Sequence, residues 1–167
     1  MSTPARLVVE PLKPKRHDRD GFACGEPALD AYLRQQAAQH HRDGISTTHV
    51  LVHAAEPARI LGYYSLSAAQ LLLAELQEAD RKRLPGYPVP AIRMGRLAVA
   101  SSEQGRGLGD YLLAHAVARC LALRAQLGVR VLLVDALHAK AADFYRAYGF
   151  RETSAGAQTL YLPLGTP

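Results

Sequence analysis

The chain has no tryptophan, only two cysteines and two methionines, and no long apolar run. A membrane-spanning helix needs about 18 or more consecutive apolar residues, and the apolar stretches here are broken sooner by Arg, His or Gln. The opening segment MSTPARLVVEPLKPKRHDRD lacks the apolar core of a secretory signal. These absences lead to the expectation of a cytoplasmic protein with no membrane association. Cys24 and Cys120 stand far apart, with no second Cys or His at metal-ligand spacing. That argues against a disulfide framework and a zinc site, and leaves two packed, reduced thiols. His40 with His41, and His49 with His53, offer at most two ligands in one place, so no metal is expected. A glycine-rich turn is present, but no GKS or GKT follows it, which excludes a P-loop. Nor does an acidic residue end the next strand at the spacing a dinucleotide fold requires.

What is present is a chain of 167 residues, 49% hydrophobic and 21% charged, enough for one domain over residues 1–167 with its own core. Its formal net charge of +5 favours acidic partners, nucleic acid or phosphorylated ligands among them. Strand and helix signals alternate, without repeats or low-complexity segments. ARLVVEPL predicts a first strand. GEPALDAYLRQQAAQHHRDG predicts one helix from Pro27 to a stop at Gly44, with Leu29, Leu33 and Ala37 on one face. STTHVLVHAA and RILGYYSLSA make an antiparallel hairpin. LLLAELQEADRKR holds a short helix, and LPGYPVP, rich in proline, is a loop. A strand AIRMGRLAVA then leads through SSEQGRG to a helix from Leu108 to Leu127, stopped by Gly128. VRVLLVDAL is a strand, HAKAADFYRAYGF a helix ending at Gly149, and AQTLYLPL the last strand.

Strand, glycine-rich turn, long helix and strand make a βαβ unit, which implies two parallel strands and a helix packed on the sheet. At such a turn, free N–H groups and the positive end of the helix dipole favour a phosphate. Glycines at 105, 107 and 109 let the main chain approach an anion and adopt positive φ. From these residues alone two readings stand: a phosphate cradle, or a plain turn loosened by glycine.

Gln104-Gly105-Arg106-Gly107-Leu108-Gly109, after RLAV and before the long helix, resembles the Q/R-x-x-G-x-G/A acetyl-CoA signature of the GNAT N-acetyltransferases. AADFYRAYGF resembles that superfamily's second cofactor segment, a helix ending in Gly-Phe that carries a tyrosine facing the thioester. FACGEPALDAYL, GYYSLSA, YPVPAIRMGRLAV and FYRAYGF are similar to the bacterial toxin branch, whose members acetylate aminoacyl-tRNA and pair with a ribbon-helix-helix antitoxin. The likeness covers roughly residues 20 to 163. It implies a GNAT fold of the α/β class: a mixed, mostly antiparallel central sheet with a parallel βαβ cofactor unit and helices on both faces.

The resemblance assigns roles to particular residues. Main-chain groups of Leu97, Ala98 and Val99 take the pantetheine arm and polarise the carbonyl. N–H groups from Gln104 through Gly105, Arg106, Gly107, Leu108 and Gly109 hold the pyrophosphate. Tyr145, which without the family reads first as a packed helix aromatic, becomes through the resemblance the acid for the departing thiolate, since a phenol of pKa about 10 is protonated at pH 7. Some GNAT enzymes place a glutamate base where this chain has Arg93. Without it, an α-amine near pKa 7.7–8.0 suits the chemistry far better than a lysine near 10.4. Glu103 and His138 stay open as water-relayed bases. Arg81, Lys82 and Arg83, with Arg93 and Arg96 in the strand beside the cofactor segment, are candidate contacts for tRNA phosphates; Lys13, Lys15, Arg16 and Arg19 form a further basic cluster. The acetyl donor implied is acetyl-CoA, and the implied partners are aminoacyl-tRNA and an antitoxin, with a homodimer left open. The alternatives are acetylation of a small amine or a protein N-terminus, and a non-catalytic module that binds acetyl-CoA.

Overall fold

The structure, a computed structural model, describes residues 6–165. In chain order its elements are β1 (Leu7–Pro11), α1 (Pro27–Gln35), α2 (Ala37–Arg42), β2 (Thr47–His53), β3 (Gly62–Leu71), α3 (Glu78–Arg81), β4 (Val89–Val99), α4 (Leu108–Leu123), β5 (Val131–Asp135), α5 (Ala139–Tyr148), β6 (Arg151–Thr153) and β7 (Gly156–Pro163). The strands form a seven-stranded sheet in the order β1-β2-β3-β4-β5-β7-β6. β4 and β5 run parallel, from Ala91 opposite Val131 to Met94 opposite Val134. β1 with β2, β2 with β3, β5 with β7 and β6 with β7 are antiparallel. The parallel pair flanking α4 is the βαβ unit that the glycine turn predicts. Ala5, where the expected first strand begins, lies outside the described residues.

By contacts the chain divides into two compact units, one comprising the residues up to Leu66 with Arg96–Ala116, the other Ser67–Gly95 with Val117 onward. In the first, α1 opens with Pro27 in its first turn and buries Leu29, Tyr32 and Leu33. The predicted single helix is broken. Gln36 leaves helical geometry at φ −125° and ψ −33°, and α2 resumes at Ala37. The apolar phase survives the break, so Leu29, Leu33 and Ala37 still enter one core with Phe22, Val50 and Tyr63. The Tyr63 hydroxyl donates to the Leu29 carbonyl at 2.6 Å, tying β3 to α1. Gly62 is a packing glycine: a Cβ there would stand 2.7 Å from both the Ala98 carbonyl oxygen and Leu112 Cδ1, so α4 and β4 approach β3 only because no side chain intervenes.

The second unit is built on β5, whose Val131 to Val134 are all buried, as expected of a strand covered on both faces. Val89, Ala91, Val131, Leu133 and Tyr161 form its core with Leu71 and Leu76. The Tyr161 hydroxyl donates to Asp80 at 2.5 Å and accepts from the Gln77 N–H at 2.9 Å, and Arg151 pairs with the same Asp80. Burial alone would raise the Asp80 carboxyl, but these two donors hold it below the usual range. Several details differ from the sequence reading. β4 starts at Val89, inside the proline-rich loop; α4 ends at Leu123, not Leu127; and β6, only three residues long, was not anticipated.

Candidate active site

The turn between β4 and α4 is built from a short 3-10 segment, Ser101–Glu103, followed by Gln104 in extended geometry. Gly105 and Gly107 then take φ of +81° and +78°, values that L side chains rarely adopt, and nothing stands within 4 Å of where a Cβ would be. The Tyr111 N–H donates to the Gly107 carbonyl at 3.1 Å, closing the first turn of α4. The N–H groups of Leu108, Gly109 and Asp110 therefore have no intrahelical acceptor, and they sit at the positive end of the dipole. Glycine here serves two needs, positive φ and open space above the main chain. Both fit a pyrophosphate laid on the backbone.

Gln104 fixes this turn from below. Its side-chain amide donates to the Cys24 carbonyl at 2.9 Å and to the Val99 carbonyl at 3.0 Å, while the Ser101 N–H donates to the Ala23 carbonyl at 2.8 Å. The signature glutamine is thus a brace between the turn, the end of β4 and the segment before α1. Beside it, Glu103 is buried and engaged at both oxygens, by Arg59 at 2.9 Å and by Arg106 at 3.2 Å. With each oxygen engaged by a guanidinium, Glu103 anchors the turn to Arg59 and Arg106. Arg59, in the β2–β3 connection, is the residue of this network that sequence reasoning missed. Only a contact across 44 positions reveals it.

β4 continues to Val99, although its register with β5 ends at Met94. The Ala100 N–H donates to the Leu61 carbonyl at 2.8 Å, so the main chain of Ala100 faces the β3 side. By alternation, the main-chain groups of Leu97 and Val99 face the opposite edge, where the strand pairing has ended. Apart from the Val99 carbonyl, which takes Gln104, that edge offers donors and acceptors to an extended, amide-bearing ligand. A pantetheine arm has that character.

In the other unit, α5 starts with His138 as its N-cap, whose Nδ1 accepts from the Ala141 N–H at 3.2 Å, and ends at Gly149 with φ +119°. That capping role is a structural account of His138. Tyr145 is 7% exposed and packs edge-on to Phe144 at 5.3 Å and against Phe150 at 5.4 Å. Burial raises its phenol well above the ordinary tyrosine value. The group is therefore held as a neutral O–H at physiological pH, the form a proton donor needs.

The basic candidates differ in their surroundings. Arg81, Lys82 and Arg83 are exposed at the end of α3, with Arg83 at φ +66°. Arg93 is paired with Asp135. Arg96 lies over the Tyr32 ring, its Cζ 3.4 Å from the centroid. Leu97 to Val99, Gln104 to Gly109 and Arg96 come together in the first unit; Tyr145, Arg93 and Arg81 to Arg83 belong to the second. His40 bonds the Tyr32 hydroxyl, and His49 stacks on Tyr64. Both cysteines are free and buried, and burial pushes each thiol up to about 11, so neither is a reactive thiolate at neutral pH. Among the described residues no group of three or more His, Cys, Asp or Glu is placed to hold a metal ion, and no helix is long and apolar enough to cross a membrane.

The acetyltransferase (GNAT) domain family matches residues 46–152, which contain the turn, the β4 edge and α5. A tRNA-acetylating toxin of Mycobacterium tuberculosis is 40% identical over 133 residues, 80% of this chain and 78% of its own. Among solved structures, AtaT complexed with acetyl-methionyl-tRNAfMet superposes with a TM-score of 0.88 at 31% identity, covering 95% of each chain. A tyrosine-to-phenylalanine variant of the AtaT toxin, bound to acetyl-CoA and the C-terminus of the antitoxin AtaR, superposes with a TM-score of 0.80 at 29% identity, over 95% of this chain and 93% of that one. With a phosphate-ready glycine turn, an open strand edge and a buried neutral phenol inside the matched span, the chain belongs to the GNAT acetyltransferases.

Proposed function

We propose that this acetyltransferase transfers the acetyl group of acetyl-CoA to the α-amine of aminoacyl-tRNA, and so acts as the toxin of a toxin–antitoxin pair in the cytoplasm. Residues 1–167 work as one catalytic domain, and the partner that restrains it is a ribbon-helix-helix antitoxin. The observation that carries this reading is the turn at Gly105 and Gly107, open and left-handed at the start of α4, in a chain 40% identical to a tRNA-acetylating toxin.

Acetyl-CoA supplies the activated acetyl group. The N–H groups from Gly105 to Gly109 hold its pyrophosphate, and the main chain of Leu97 to Val99 orients the pantetheine and polarises the thioester carbonyl. Tyr145 donates its proton to the departing thiolate. No carboxylate occupies the position of Arg93, so the amine arrives neutral without help from a base there. At pH 7 an α-amine is about a tenth neutral, a lysine side chain less than about a thousandth, and esterification lowers the α-amine further. That difference selects an aminoacyl ester over protein lysine. The exposed Arg81, Lys82 and Arg83 take backbone phosphates of the acceptor arm; Arg96 adds a further cation, and Arg93, paired with Asp135, adds less.

The test is direct. Purified protein is incubated at pH 7 with acetyl-CoA and either total charged tRNA or lysine-containing peptides, and the products are identified by mass spectrometry after nuclease digestion. N-acetyl-aminoacyl-adenosine from the tRNA, with little lysine acetylation, is the expected result. Comparable acetylation of lysine, or none of charged tRNA, overturns the substrate assignment.

A further inference from the structure

Several arginines among the described residues meet carboxylates: Arg16 binds Glu10, Arg59 and Arg106 bind Glu103, Arg93 binds Asp135, and Arg151 binds Asp80. Arg96 is half-buried, yet among the described residues no carboxylate lies within ion-pair distance of it. Its guanidinium is met by an aromatic face instead. With Cζ only 3.4 Å from the Tyr32 centroid, the two planes must be close to parallel. In a tilted arrangement a nitrogen, about 1.3 Å from Cζ, would be driven into the ring. A guanidinium stacked this way keeps its N–H fork pointing outward in its own plane, clear of the ring and ready for a bidentate acceptor.

The platform beneath it is fixed. Tyr32 is 3% exposed, and its hydroxyl lies 2.7 Å from Ser46 Oγ and 3.0 Å from His40 Nδ1, with the His40 ring edge-on at 5.4 Å. Along β4 the side chain of Arg96 shares a face with Ala98, and Ala98 belongs to the same apolar cluster as Tyr32. Arg96 therefore emerges at the rim of that cluster, one residue before the strand segment whose main chain faces the open edge. A partly desolvated cation, held rigid and lacking a counter-charge of its own, is arranged for an anion that arrives with a ligand.

We propose that Arg96, held flat by Tyr32, binds the last phosphodiester of the charged tRNA, and that Tyr32 is the positioning residue for that contact. The inference rests on the tRNA reading above. On that substrate the aminoacyl ester is carried by the terminal ribose, so the nearest fixed negative charge is the phosphate on that nucleoside's 5′ side. Arg93 is already neutralised by Asp135 and has less to offer there.

The experiment measures steady-state kinetics on total charged tRNA across a range of salt, with acetyl-CoA saturating. In parallel it uses an aminoacyl-adenosine that has no phosphate. Arg96→Ala should raise KM for charged tRNA roughly 10-fold with kcat little changed, and should reduce the salt slope by about one. On aminoacyl-adenosine the same variant should match the wild type. Arg96→Lys should restore the salt slope but only part of KM, because an ammonium lacks the planar fork. Tyr32→Phe keeps the ring and the packing and loses only the two hydroxyl contacts, so a two- to three-fold rise in KM is expected with the salt slope unchanged. Wild-type KM and salt slope in Arg96→Ala overturn the assignment, as does an equal loss on both substrates, which would mark a structural role. A wild type that leaves charged tRNA unmodified fails the tRNA reading itself, and the two failures are thereby distinguished.

Discussion

Between Gln104 and Gly109 the protein offers mostly main chain: two glycines at φ +81° and +78°, open space above them, and a helix N-terminus. Helix α5 offers the reverse, an amphipathic helix with Ala142 and Tyr145 buried, whose proposed contribution to the chemistry is one phenolic hydroxyl. The two regions fail in different ways. A device made of backbone is broken by changing φ or filling space, and the side chains around it matter little. A device made of one hydroxyl is broken by removing a single oxygen, with the fold untouched. Binding and turnover should therefore separate cleanly between mutants of the two regions.

The largest effect is expected at Tyr145. Tyr145→Phe keeps the ring packed against Phe144 and Phe150, so stability and acetyl-CoA affinity should hold. Single-turnover acetyl transfer should fall by roughly 10²- to 10⁴-fold, the range for loss of a positioned acid. Unchanged turnover would remove Tyr145 from the mechanism and erase the contrast with the glycine turn. The pH profile sharpens the point. Burial raises the phenol, so the donor stays protonated as pH climbs through the ordinary tyrosine value of about 10. Activity should rise as the α-amine, lowered by esterification below its ordinary 7.7–8.0, deprotonates, and show no alkaline fall below about pH 10. A descending limb between pH 8 and 9 would point to another acid.

Gly107→Ala should do the opposite. At φ +78° an L side chain is strained by about 1–2 kcal/mol, although the space beside it is empty. Acetyl-CoA binding by calorimetry should weaken about 10-fold, while turnover at saturating acetyl-CoA stays near wild type. Gly107→Glu adds bulk and negative charge at the proposed pyrophosphate site and should abolish binding altogether. Wild-type affinity in both variants would take the cofactor away from this turn.

The glycine turn and α5 were legible in the sequence for a physical reason: both are local. Glycines at alternate positions before an apolar run, and Gly149 after a helix, are signals carried by neighbours in the chain. The β4–α4–β5 unit was legible for the same reason. The break at Gln36 was hidden because Leu29, Leu33 and Ala37 keep helical phase across it, and β6 was too short to show a period. What stayed invisible were contacts over long separations. Arg59 reaching Glu103, Arg96 lying on Tyr32 and Gln104 bracing Cys24 depend on which segments fold together. The basic residues illustrate it best: Arg93 and Arg96 look alike in sequence, and only their partners, a carboxylate and an aromatic face, separate them.

Gly62 tests whether every glycine near the turn acts as Gly107 does. Its φ is not in the left-handed region, but a Cβ would meet the Ala98 carbonyl and Leu112 at 2.7 Å. Gly62→Ala should lower unfolding stability by about 1–3 kcal/mol, through overpacking, as read by urea denaturation. The fraction that remains folded should bind acetyl-CoA normally. Weakened binding with wild-type stability would show that the position serves the ligand, not the packing.

The smallest effect is expected at Gln104, the one side chain on which the backbone device leans. Its amide donates to the carbonyls of Cys24 and Val99 from an exposed position, so each bond is worth the lower end of about 0.5–1.5 kcal/mol. Gln104→Ala should therefore weaken acetyl-CoA binding by only about three- to five-fold, by loosening the turn that presents the glycine N–H groups. Gln104→Arg retains N–H donors, as the signature allows at this position, and should recover most of that loss. Gln104→Glu is nearly isosteric but sets a carboxylate against two carbonyl oxygens, so it should be the worst of the three. Calorimetric affinities ranked Gln, Arg, Ala, Glu would establish that this side chain acts through the donors it gives to the main chain. Equal affinities in all four would show that the turn holds its shape by backbone alone.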